Sequence, residues 1–240
     1  MTDARSRLIV ALDVPDRTAA LAAVESLRGH VGCFKLGLEI FTREGPRIVE
    51  EVLNRGERVF LDLKLHDIPH TVAGAVRSAC SLGVHMLTVH TAGGQKMLEA
   101  ARDAAAASAS PPLLLGVTAL TSLSESDVRS IGISLPIRSW VEQLGDLACR
   151  AGIPAIVASP LELPVLRPKL AGRLKFVTPG IRPSGAPLHD QVRATGPREA
   201  ILAGADFLVI GRPILQAQDP PRAADRVIAE IEKALSEAEF

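Results

Sequence analysis

The sequence predicts an α/β fold of the (β/α)8 TIM barrel class, and three observations predict it. Short apolar runs alternate with helix-type patterns, making eight strand–helix units in 240 residues. Several runs are continuous, Leu8-Ile9-Val10-Ala11-Leu12 first among them, as suits strands covered on both faces. Charged and polar residues collect at the carboxyl ends of these runs, where barrel enzymes carry their sites. A doubly wound sheet is the runner-up. Its nucleotide-binding form expects a glycine-rich fingerprint after the first strand, and Asp13-Val14-Pro15-Asp16 stands there instead.

Each element has its own signal. The first strand ends at Asp13, and Asp16 can cap a helix with Leu21, Val24 and Leu27 on one side. Gly32-Cys33-Phe34-Lys35-Leu36-Gly37 is a short second strand holding one charge. Phe41, Ile48, Val49, Val52 and Leu53 recur at helical spacing around a Gly45-Pro46 break, and Gly56 ends the segment. The third strand starts at Arg58. Its period of two puts Phe60, Asp62, Lys64 and His66 on one face, and Val59, Leu61, Leu63 and Leu65 on the other. A helix over 71–82 closes at Gly83. Residues 84–90 form strand four, with His90-Thr91-Ala92-Gly93-Gly94 as its exit loop.

An alanine-rich helix over 95–107 leads to strand five at 113–118, and 121–130 reads as a polar loop. A helix over 138–151 turns Trp140, Val141, Leu144, Leu147 and Ala148 inward. Strand six covers 153–158, with Pro154 at its start where an N–H is easiest to lose. A short helix at 161–166 and strand seven at 174–178 follow, then a loop rich in turn residues over 179–185. A short helix near 198–203 precedes strand eight at 205–210. The last helix has a proline start after Asp219 and buries Val227, Ile228, Ile231 and Leu235. No linker or composition break splits the chain, so 1–240 reads as one domain.

Composition excludes several functions. Lys and Arg total 27, Asp and Glu total 27, and the net charge is +0, so no bulk field draws nucleic acid or an anionic membrane. There is no Tyr, and aromatics are 3% of residues, which leaves little for base-stacking platforms. No apolar run approaches the roughly 20 residues of a membrane span. Met-Thr-Asp-Ala-Arg-Ser-Arg leads directly into a strand, so no signal peptide is expected. Cys33, Cys80 and Cys149 fit no metal pattern and are odd in number for disulfides. They are expected free, in a reducing cytoplasm.

The candidate site lies at the strand ends: Asp13, Lys35, Asp62 with Lys64 and Asp67, His90, Thr118, Arg182 and Arg212. A lone Asp-x-Lys is more often a structural ion pair than a reactive one. Its company at the strand ends favours a reactive cluster of Lys35, Asp62 and Lys64. Gly180-Ile181-Arg182 and Gly211-Arg212 follow the last two strands, the usual phosphate position of barrels. Small residues let backbone N–H groups approach an anion, and arginine offers a fork of donors. Asp13, Asp62, Asp67 and His90 could hold a hard cation. Lys35 and Lys64 would compete with it, so no metal is expected. His66, His70, His85 and His90 each have an ordinary packing role as the alternative, and Cys33 has no mark of a nucleophile.

Asp62-Leu63-Lys64-Leu65-His66-Asp67-Ile68-Pro69 resembles the D-x-K-x-x-D-I-P signature of the orotidine 5'-phosphate decarboxylase family, and the resemblance runs along nearly the whole chain. Asp13 matches the family's ribose aspartate, Lys35 its strand-two lysine, and Thr121 and Ser122 its pyrimidine-side contacts. Arg182, Gln191, Gly211 and Arg212 match its phosphate grip. Leu65 departs from the Phe of many members. The resemblance implies decarboxylation of orotidine 5'-phosphate without a cofactor. Lys64 would protonate the ring, aided by Asp62 and Lys35. It also implies a homodimer in which Asp67, Ile68 and Thr71 enter the partner's site. Related barrels that share the motif but use magnesium carry a glutamate in strand two, where this chain has Lys35. A sugar-phosphate aldolase with a Schiff-base lysine and a non-catalytic phosphate-binding protein stand as alternatives.

Overall fold

The computed structural model describes residues 3–183 and 195–238. Eight strands pair in chain order and in parallel: β1 (Leu8–Ala11), β2 (Cys33–Leu36), β3 (Val59–Leu65), β4 (Met86–His90), β5 (Leu113–Val117), β6 (Ala155–Val157), β7 (Lys175–Thr178) and β8 (Phe207–Ile210). β8 pairs back onto β1, Ile9 opposite Val209, and closes the barrel. Around it run α1 (Arg17–Leu27), α2 (Leu38–Glu44), α3 (Pro46–Leu53), α4 (Pro69–Ser81), α5 (Gln95–Ala106) and α6 (Glu125–Ser130). They are followed by α7 (Ile137–Arg150), α8 (Leu163–Leu170), α9 (Pro197–Leu202), α10 (Arg212–Leu215) and α11 (Pro220–Ala238).

The apolar residues divide into two layers. Alternate strand residues point inward, and Ile9, Ala11, Cys33, Phe60, Met86, Leu115, Ala155, Val177 and Val209 fill the barrel as one cluster. Their neighbours in sequence, such as Leu8, Val10, Phe34, Leu61, Leu87 and Leu208, face outward and pack under the helices. Both strand faces are therefore apolar, which is why the runs read as continuous. The helices complete the outer layer with stripes at helical spacing: α11 buries Ala223, Ala224, Val227, Ile231 and Ala234. Asp16 caps α1 as expected, its carboxylate accepting from Ala19 N–H at 2.8 Å.

Several boundaries differ from the sequence expectation, each for a local reason. β6 is three residues long, Ala155–Val157, and Pro154 lies before it. The break expected at Gly45-Pro46 separates two helices, α2 and α3: Gly45 adopts φ 66° and Pro46 opens the first turn of α3. The expected loop at 121–130 contains α6. Ser124 and Asp127 form a reciprocal cap around its first turn, and Val128 is its one buried residue. α8 begins at Leu163 and runs to Leu170, past Pro168.

β3 departs from a regular ladder. Leu61 pairs with Leu87 and Leu65 pairs with Val89, so three residues of β3 face the single residue Thr88 of β4. The excess is taken up at Lys64, whose φ is 50°, the one positive value for a non-glycine among the described residues. An L-residue in this region carries strain of about 1–3 kcal/mol that the surroundings must impose.

Candidate active site

The carboxyl ends of the strands converge on a cavity of about 250 Å³. Its floor is the top of the barrel core: Ala11, Phe60, Val177 and Val209 belong both to the inner apolar cluster and to the cavity wall. Above that floor stands a line of alternating charges. Asp13, Lys35, Asp62 and Lys64 come from β3 and the ends of β1 and β2, and all four line the cavity.

The distances show how the line is held. Lys64 Nζ donates to both oxygens of Asp62, each at 2.9 Å. Lys35 Nζ lies 3.5 Å from Asp62 Oδ2 and 3.3 Å from Asp13 Oδ1. The side chains of Lys35 and Asp62 are each only 11% exposed, so solvent screens that pair little. Asp13 is open to solvent at 59% and Lys64 is intermediate at 32%. The innermost acid thus sits between two ammonium groups, with the second lysine turned toward the open cavity. Thr88, fully buried in β4, also donates to Asp62 Oδ1 at 3.0 Å.

The opposite wall comes from β7 and β8. Pro179, Gly180 and Arg182 follow β7, and Gly211 and Arg212 follow β8; all line the cavity. Gly180 has φ 80°, a turn conformation that a side chain would disfavour. The Arg182 side chain is buried, and its Nη1 donates to the Ile181 carbonyl at 3.0 Å. One wall is thus an acid–base line and the other carries two arginines beside glycine backbone. Such a cavity can hold a small anion at one end and act on a polar group at the other.

The remaining sequence candidates divide. Thr121 lines the cavity beside Leu120 at its rim, whereas its neighbour Ser122 is exposed and does not line it. Asp67, Ile68 and Thr71 lie outside the cavity and are exposed, Ile68 at 65%. Asp67 Oδ1 accepts from Ile68 N–H at 2.6 Å, inside its own loop. Gln191 lies outside the described residues. Leu65 packs outward against the helix layer, away from the charges.

Asp67 and His90 do not join Asp13 and Asp62 in the cavity lining. Among the described residues no group of three His, Cys, Asp or Glu side chains is arranged to hold a metal ion. His90 stacks on His66 with ring centroids 5.2 Å apart. Burial, with His66 and Lys64 nearby, holds the His90 imidazole below its ordinary pKa and hence neutral at pH 7. Burial pushes the Cys33 thiol up to about 12, which leaves it protonated inside the barrel. Sequence reading missed Thr88 and the apolar floor residues Ala11, Val177 and Val209. The floor could have been found from strand alternation, once the inward face was known.

The chain as a whole is similar to proteins of one family. Residues 6–227 match the family described as Orotidine 5'-phosphate decarboxylase / HUMPS. The chain is 48% identical to orotidine 5'-phosphate decarboxylase of Syntrophotalea carbinolica, over 99% of each chain. It is 47% identical to the protein of the same name from Moorella thermoacetica, over 95% of this chain and 93% of that one. Its fold is similar to the crystal structure of orotidine 5'-phosphate decarboxylase from Lactobacillus acidophilus. The TM-score there is 0.84 at 33% identity, covering 93% of this chain and 98% of that one.

Proposed function

The chain belongs to the orotidine 5'-phosphate decarboxylase / HUMPS family, and from that premise we propose that it converts orotidine 5'-phosphate to UMP and carbon dioxide. The single observation that carries this reading is the line Asp13, Lys35, Asp62 and Lys64 facing Arg182 and Arg212 across one cavity. The arginines and the backbone near Gly211 hold the 5'-phosphate, and Gln191, outside the described residues, is read as a further phosphate contact. Asp13 and Lys35 bind the ribose. Thr121, at the cavity rim, contacts the pyrimidine; Ser122, exposed and off the cavity lining, takes no part in this reading.

In the chemical step the bond from C6 to the carboxylate breaks, carbon dioxide departs, and the electron pair stays on C6. That carbanion has no adjacent carbonyl to accept its charge. Preorganised charge must therefore stabilise it, in a site where little solvent has to reorganise. The Lys64 ammonium stabilises the anion and then donates its proton to C6, giving UMP; water restores the lysine proton. Asp62 aims Lys64, accepting from its ammonium at 2.9 Å through both oxygens, and crowds the carboxylate that leaves. Lys35 holds Asp62 in turn. Binding energy from the phosphate end, remote from C6, offsets the cost of ordering and desolvating the reacting end.

In this reading no cofactor takes part. The catalytic unit is a homodimer in which the exposed Asp67, Ile68 and Thr71 enter the partner's cavity. The chain works as one domain over 1–240, in the cytoplasm, as a step of pyrimidine synthesis. Among the described residues no helix is long and apolar enough to cross a membrane.

The test is loss of orotidine 5'-phosphate absorbance after exhaustive dialysis against a chelator, for the wild type and for Lys64→Ala. The wild type is expected to turn over. The variant should lose at least about 10³-fold in kcat, since proton transfer and charge stabilisation are each worth 10²-fold or more. Its affinity for UMP, measured by calorimetry, should change far less. Near-normal turnover by the variant would remove Lys64 from the mechanism.

A further inference from the structure

We propose that Thr88 is a positioning residue for this reaction: its hydroxyl bridges the irregular part of β3 and sets the angle between Lys64 and Asp62. This rests on the decarboxylase reading and adds a residue that never reaches the cavity wall. Thr88 is fully buried in β4, at the one position that faces three residues of β3. A regular ladder would satisfy the Lys64 N–H with a backbone carbonyl, but the register shift and the φ of 50° turn that N–H out of line. Thr88 Oγ1 accepts it instead, at 2.8 Å.

The same oxygen donates its own proton to Asp62 Oδ1 at 3.0 Å. A hydroxyl has one proton to give and lone pairs to accept with. The two bonds are therefore compatible and directional, running from the Lys64 backbone through Thr88 to the Asp62 carboxylate. The Lys64 ammonium returns to that carboxylate at 2.9 Å. The circuit ties backbone, acid and ammonium together through one buried oxygen. It also supplies an outside restraint of the kind that a left-handed lysine requires.

A merely structural Thr88 and a positioning Thr88 differ in what a near-isosteric change does. Thr88→Val removes both bonds and keeps the shape; Thr88→Ser keeps both bonds and removes the methyl. Each full-length variant would be assayed for orotidine 5'-phosphate turnover, with active sites counted by UMP titration so that any unfolded fraction drops out. The expected result is a kcat per site lowered roughly 10- to 100-fold in Thr88→Val, the scale of a 1 Å misplacement. KM should stay within about threefold, and Thr88→Ser should stay within about threefold of the wild type in kcat. If the valine variant does not fold, Thr88→Ala against Thr88→Ser carries the same comparison. Full kcat without the hydroxyl, or equal loss with serine, would overturn the proposal. Hydrogen exchange at the Lys64 amide gives a second readout that needs no activity: it should quicken in Thr88→Val and not in Thr88→Ser, and unchanged protection would also overturn it. An inactive wild type whose Lys64 amide still responds in this way would count against the decarboxylase reading alone.

Discussion

Replacing Lys35 by Met tests the charged line at its most enclosed link. Methionine keeps much of the apolar stem and deletes the ammonium that lies 3.5 Å from Asp62. At an effective dielectric of about 20, unit charges at that spacing attract by roughly 4–5 kcal/mol before desolvation is counted. Asp62 would keep Lys64 and Thr88 as partners, so the net loss should fall below that figure. Breaking one member out of a buried pair costs about 3–5 kcal/mol, and the remaining partners place this case near the lower end. That cost falls on folding stability; the expected fall in kcat/KM is about 10²-fold, which corresponds to about 2.7 kcal/mol of it also being felt in the transition state through the loosened Asp62–Lys64 pair. Turnover followed by ultraviolet absorbance, at limiting and saturating substrate, measures it. A double-mutant cycle with Asp62→Asn, read by urea unfolding, should show a coupling of at least about 1 kcal/mol. If Lys35→Met works within threefold of the wild type and the cycle is additive, the electrostatic account of the line is wrong.

Three further outcomes are expected. Arg212→Ala should raise KM for orotidine 5'-phosphate by about 10²-fold, the scale of a lost charge-assisted contact, and barely affect a substrate lacking phosphate; equal effects on both would remove Arg212 from the phosphate site. Gly32→Ala would put a methyl 2.5 Å from the Arg5 carbonyl oxygen and 2.7 Å from Ser6 Cα. It should cost about 1–3 kcal/mol and lower Tm by about 2–4 °C for each kcal/mol, as scanning calorimetry would show. Cys33, with its pKa raised by burial to about 12, favours the folded state while the unfolded thiol stays protonated. That contribution is complete below pH 9 and lost as pH rises toward 12, by up to about 1.4 kcal/mol for each pH unit. The difference in urea stability between wild type and Cys33→Ala should therefore narrow between about pH 8 and pH 10.5, and a constant gap would count against it.

The barrel was legible because each strand is covered on both faces and each helix on one. That arrangement leaves runs and stripes that no tertiary detail can hide. The lining of the candidate site was legible where one strand end carries opposite charges, as at Asp62 and Lys64, or where glycine and arginine adjoin. α6 escaped notice because its cap, Ser124 with Asp127, precedes only one buried residue, so no apolar stripe announces it. Thr88 escaped for a deeper reason. A threonine in an apolar strand looks like any β-branched filler, and its value depends on which residue of another strand faces it. The left-handed turn at Lys64 is equally silent, since it arises from a mismatch in strand lengths between paired positions and not from any turn-forming residue.

The apolar floor shared by the barrel interior and the cavity has a consequence for redesign. Ala11, Phe60, Val177 and Val209 form both the roof of one compartment and the bottom of the other. Deepening the binding space for a bulkier guest at these positions takes every carbon removed from the centre of the barrel as well. Pocket depth and thermal tolerance are thus set by the same side chains. Variants selected for larger guests should melt earlier unless Cys33 or Met86, in the same inner cluster, is enlarged in step.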